Sequence, residues 1–196
     1  MQSVASIPRQ RRNLYTNGLL LAGFAAAVGL RVFVGGSHVA QSFSAGLVFA
    51  ICLIALSIVG GVHTTWSWRS VGIGIIGGIA LCMPTFAAHL LAHRGWAATQ
   101  GYLSWAIVVS IVASSEELFL RGALFDGLKK WRGNIFAVAV SAIAFALLHV
   151  PLYGWHVVPL DMGVGLFLGA LRMMSGTWVA PGMAHVITDL AGWWIR

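Results

Sequence analysis

The chain has 196 residues, of which 59% are hydrophobic and 9% charged, and its mean hydropathy is +0.86. Soluble domains carry about 25% charged residues, so an ordinary soluble domain is excluded. The expectation is an all-α polytopic integral membrane bundle of about seven transmembrane helices, forming one embedded domain over residues 1–196. In such a chain the net charge of +7 sets topology through basic cytoplasmic loops and does not mark nucleic acid as a partner. Cys52 and Cys82 each lie in an apolar run without metal-type spacing, and read as packed thiols.

Residues 1–13 are polar and carry Arg9, Arg11 and Arg12. The apolar run that follows, 14–34, is long enough to span, so it reads as a retained first span and not as a signal peptide. A second span covers 43–62. A third covers 71–91, with Gly74 and Gly78 spaced for close helix approach. The fourth begins near Tyr102 and continues past an acidic pair to about Leu128, which makes it unusually long. Lys129, Lys130 and Arg132 then mark a loop. The fifth span, 134–150, is expected to stop at Pro151. The sixth, 157–171, carries Gly165 and Gly169, and the seventh covers 178–194. Tryptophans such as Trp66, Trp68, Trp131 and Trp155 gather at span ends, as an interfacial belt requires.

With the N-terminus in the cytoplasm, the inner segments hold Arg9, Arg11, Arg12, Arg69, Arg121, Lys129, Lys130, Arg132 and Arg172, and the outer ones Arg31, Arg94 and Arg196. That excess predicts a cytoplasmic N-terminus, an outside C-terminus and residence in a cell or inner membrane.

Only five residues are acidic, yet Glu116 and Glu117 are adjacent inside an apolar helix. A charge at a helix centre in the bilayer costs roughly 2.5–3.5 kcal/mol even on lenient scales, so such groups are functional candidates. Residues four apart share a helix face. Glu117 therefore pairs with Arg121, Phe145 with His149, and His185 with Asp189. Glu116 is turned about 100° from Glu117 and faces another neighbour. Glu116 and His149 lie at similar distances from the turn near Trp131 and Arg132, about 25 Å by helical rise, so they sit at one level and can meet.

A carboxylate, two imidazoles and a second carboxylate in a low-dielectric pocket are the parts of a water-activating site. Two bland readings stand beside it. Each polar pair is a clamp locking helices together, or the buried charges serve a proton-coupled carrier, against which no inverted repeat is visible. His89 and His93 read as an interfacial polar face and Asp126 as a partner for Arg121 or the basic loop; Asp161 either lines the cavity or sits at the outer surface, and the surface is favoured.

The three motifs, Glu116-Glu117-x-x-x-Arg121, Phe145-x-x-x-His149 and His185-x-x-x-Asp189, match in order those of the CPBP family. These are the CAAX-prenyl-protease-2-like and bacteriocin-processing membrane proteins, also called Abi. Arg121-Gly122 and the approach Arg172…Ser175-Gly176-Thr177-Trp178 are similar too. The resemblance covers about residues 102–194; it sets a CPBP-like core, 101–196, beside N-terminal spans, 1–100, that match only in being hydrophobic.

The resemblance implies an intramembrane endopeptidase acting on a peptide or protein substrate, with or without a lipid, at the bilayer. Glu116 and His149 would activate a water, His185 and Asp189 would stabilise the oxyanion, and Glu117, Arg121 and Phe145 would support them. An ionised Asp189 cannot donate a hydrogen bond, so it must be protonated or must orient His185. A glutamate-type mechanism without cofactor is favoured over a metalloprotease. If zinc or another divalent metal is used, Glu116, His149 and His185 are the ligands. The alternative on the same fold is a non-catalytic immunity or scaffold protein that binds a peptide or partner.

Overall fold

The computed structural model describes residues 9–194 except 94, 97 and 98, with side chains from residue 14 onward. Arg94, Arg196 and the side chains of Arg9, Arg11 and Arg12, which enter the charge count, lie outside the described residues. Seven helical rods follow in order: α1 (Arg9–Gly35), α2 (Phe43–Val59), α3 (Trp68–Leu91), α4 (Tyr102–Glu117), α6 (Asn134–Tyr153), α7 (Val158–Ser175) and α8 (Val179–Gly192). The α4 rod continues through a wider π-helical stretch, Leu118–Leu124, into α5 (Phe125–Arg132). No strand occurs among the described residues.

Among the described residues, five stretches are long and apolar enough to cross a membrane: Leu14–His38, Trp68–Leu91, Tyr102–Arg132, Asn134–Tyr153 and Trp155–Ser175. α2, with 17 residues, is at the lower limit for crossing. α8 has 14 residues, about 21 Å at helical rise, which is short of a ~30 Å hydrocarbon core.

Helix ends follow local chemistry. The Ser42 hydroxyl accepts from the Ala45 N–H at 3.2 Å and caps α2, and Ser67 does the same for Ser70 at 3.1 Å, starting α3 at Trp68. Pro151 does not end α6. The helix runs on to Tyr153 and stops at Gly154, whose φ of 89° suits glycine and whose N–H donates to the Val150 carbonyl at 2.8 Å. A proline in a last turn removes a single backbone bond, so the helix tolerates it there.

α8 lies against α3 and α4, α7 against α6, and α1 against α2 and α5. Both glycine pairs set these approaches. A Cβ on Gly74 would fall 2.7 Å from the Ala180 carbonyl oxygen of α8, and one on Gly78 would fall 2.8 Å from Ile187 Cβ. On α7, a Cβ on Gly165 would fall 2.9 Å from Ala142 Cα, and one on Gly169 would meet Val138. The interior side of α1 is Leu20, Phe24, Ala27 and Arg31, and the Phe24 ring stacks on Phe119 at 5.3 Å. Arg31, Arg121 and Arg172 are all buried, so these three are not the loop charges that the sequence reading counted.

Leucine at Gly74 or Gly165 should lower stability by about 1–3 kcal/mol through overpacking, read as a lower apparent Tm in detergent. Gly163→Leu, where an added Cβ meets nothing within 4 Å, should leave the Tm unchanged.

Candidate active site

Glu117 closes α4 and is the hub of the buried polar network. Its Oε1 accepts from Arg121 Nη1 at 2.7 Å and lies 3.2 Å from His185 Nδ1 on α8. The Glu117 and Arg121 side chains are both 0% exposed. Arg121 Nη2 donates to the Gly165 carbonyl on α7 at 2.9 Å, and the guanidinium lies 4.9 Å over the Phe145 ring of α6. One arginine thus ties α4, α6 and α7 together. Arg172 extends the network: its Nε donates to the Arg121 carbonyl at 2.6 Å and its Nη2 to Asp126 at 2.7 Å. π-helical stretches inside α-helices often mark functional sites, and here the stretch carries Arg121 itself.

Phe145 is the apolar spacer of the site. Its ring meets His149 edge-on at 4.8 Å and His185 at 5.3 Å. His149 Nδ1 donates to the Phe145 carbonyl at 3.0 Å, which fixes the proton on Nδ1 and leaves the Nε2 lone pair facing outward from that bond. The same Nδ1 lies 3.6 Å from Asp161 Oδ2 at the start of α7. His185 stands between two carboxylates, with Nε2 3.6 Å from Asp189 Oδ2. Asp189 is the most open member, with 37% of its side chain exposed.

Glu116 is 3% exposed, and its Oε1 lies 3.5 Å from Arg31 Nη1 on α1. His185, Asp189 and Glu117 are also within electrostatic reach of it. No ion pair or hydrogen bond joins Glu116 to His149 among the described residues.

The structure therefore unites Glu117 with Arg121 and His185 with Asp189, as spacing predicts, and sets Phe145 between the two imidazoles. Two expectations are corrected. Asp161 is at the site beside His149 and not on the outer surface, because α7 enters antiparallel to α6 and brings its first turn to the end of α6. Asp126 pairs with Arg172, since Arg121 is already held by Glu117 and the Gly165 carbonyl. Arg31, expected in an outer segment, stands at the site, and its spacing from Leu20, Phe24 and Ala27 places it on the buried stripe of α1. His89 is buried against Trp96, with ring centroids 4.7 Å apart. Among the described residues, no group of three or more His, Cys, Asp or Glu side chains is arranged to hold a metal ion.

The sequence profile of the family described as type II CAAX prenyl endopeptidase Rce1-like matches residues 96–191. That stretch contains all three motifs. The chain belongs to this family. No curated protein and no solved structure matched the chain. Rce1-like membership, together with the apolar helices, makes the chain an integral membrane protein of the CAAX-type intramembrane endopeptidase class, acting on peptide or protein substrates.

Removing one partner of a buried ion pair leaves an uncompensated charge, at about 3–5 kcal/mol. Arg121→Met alone should therefore lower the unfolding midpoint in detergent more than Arg121→Met combined with Glu117→Gln, in a thermal melt of the three proteins side by side.

Proposed function

We propose that this Rce1-like protein hydrolyses a peptide bond with Glu116 and His149 activating a water, and with His185 and Asp189 at the oxyanion. The observation that carries the reading is the packing of Phe145 between His149 and His185, with Glu116 and Glu117 on α4, which packs against the α8 helix that carries His185. In the step, the water oxygen attacks the scissile carbonyl carbon and its proton passes to Glu116. The carbonyl oxygen gains the negative charge. Glu116 then returns the proton to the departing amine nitrogen as the C–N bond breaks. With its Nδ1 proton given to the Phe145 carbonyl, His149 presents Nε2 as an acceptor.

Glu117 accepts the His185 Nδ1 proton, so Nε2 donates to a substrate oxygen when His185 is the imidazolium. Asp189 Oδ2 lies 3.6 Å from that same Nε2, longer than a hydrogen bond, and flanks the substrate side of the ring. Glu117 and Arg121 hold His185 from the other side. The reading is metal-free.

An apolar groove of about 330 Å³ runs between α1 and α6, lined by residues including Leu21, Phe24, Val28, Ile143, Leu147 and Leu148. It suits the hydrocarbon chain of a lipidated substrate that arrives from the bilayer. Discounting the buried arginines leaves the basic excess on the side of Lys129, Lys130 and Arg132, so the N-terminus is cytoplasmic in this reading. The site then lies towards the outer half, because Arg31, His149 and Asp161 sit near the opposite rod ends.

Purified protein should release products from a peptide library, lipidated and plain. Glu116→Gln and His149→Ala should each lower kcat by about 10²–10⁴, and a chelator should change nothing. Wild-type rates in both variants reject the mechanism. Loss of activity with chelator, restored by metal, rejects its metal-free form. Binding without cleavage by the wild type favours the scaffold alternative.

A further inference from the structure

Every carboxylate near the site has a cationic or imidazole partner, and the partner of Glu116 comes from outside the family match. Glu117 is held by Arg121 and His185, Asp126 by Arg172, and Asp161 faces His149. Glu116 has Arg31, which lies on α1, far from the matched residues 96–191.

Arg31 is four residues from the end of α1 at Gly35. An arginine so near a helix end ordinarily extends its side chain to the membrane surface. This one turns inward: it is 8% exposed, its guanidinium lies 4.9 Å over the Phe49 ring of α2, and Nη1 points at Glu116. Its Nε and Nη1 atoms are buried without a hydrogen-bond partner. Burying a guanidinium with unused donors is unfavourable unless the charge is needed there.

We propose that Arg31 is a positioning residue of the active site, supplied by the N-terminal helix, which supplies the counter-charge of Glu116 and turns its carboxylate towards the reacting water. The inference rests on the peptidase reading above. The contact geometry fits the task. At 3.5 Å the pair is held by charge without a direct hydrogen bond, so both carboxylate oxygens keep lone pairs free to take a proton from water. As that proton moves to Glu116, negative charge leaves the carboxylate and develops on the substrate carbonyl oxygen. The Arg31 cation stays in place and the chamber's net charge is unchanged through the step.

The test uses the full-length protein in detergent and a peptide that the wild type cleaves. Arg31→Met should lower kcat by about 10²–10³, the usual loss for one preorganised electrostatic group, with KM within about twofold, since the loss falls on the transition state and not on binding. Arg31→Lys should recover at least about a tenth of the wild-type kcat, because it restores the charge without the fork. Melting curves monitor folding. If Arg31→Met does not fold, Arg31→Lys against Arg31→Gln carries the comparison, with Lys active and Gln not. Wild-type kcat in Arg31→Met or Arg31→Gln, or a loss confined to KM, overturns the inference while leaving the peptidase reading intact. Absence of cleavage by the wild type overturns both.

Discussion

The Glu117–Arg121 pair is the interaction around which the bundle is arranged. It is intrahelical, so it forms with the rod that carries it, yet its remaining valences reach three other helices. Glu117 reaches α8 through His185, and Arg121 reaches α7 through the Gly165 carbonyl and α6 through the face of Phe145. Two fully buried charges are expensive in a low-dielectric interior, and the arrangement offsets that cost only when α6, α7 and α8 are all docked. The pair therefore specifies which helices meet and at what level. The imidazoles inherit their positions from it: His185 directly, and His149 through Phe145.

Small residues then set how close the rods come. Gly165 serves twice, allowing α7 against Ala142 and offering its carbonyl to Arg121. Gly74 and Gly78 let α3 back the helix that carries His185. The chemistry is thus built on rigid helices, and the glycine spacing belongs to the same design as the motifs.

Much of this was legible because helical spacing is a local property. Glu117 with Arg121, Phe145 with His149 and His185 with Asp189 follow from a four-residue interval. The close-packing glycines follow from theirs. What was not legible depends on which rods are neighbours. Asp161 reads as a surface residue until α7 is laid against α6. Arg31 reads as a charge at a membrane surface until α1 is laid against α2 and α5 and its side chain reaches Glu116, and the same misplacement enters the count of loop charges. The π-helical stretch has no local signature in Leu118–Leu124, which reads as a continuation of the α4 helix carrying Arg121. Pro151 misled in the opposite direction: the rule that proline ends a helix is strong in the interior and weak in the final turn.

The shortness of α8 has a consequence for the surrounding lipid. A 14-residue rod falls about 9 Å short of the hydrocarbon thickness, and a bilayer meeting a short element thins beside it or admits headgroups and solvent. Asp189 is the open member of the site and lies in the last turns of that rod. A local dimple in the membrane there would bring the aqueous phase to within a side chain's reach of His185, so the hydrolytic water need not cross the apolar interior. The truncated helix would be the supply line for the one reactant that the bilayer excludes.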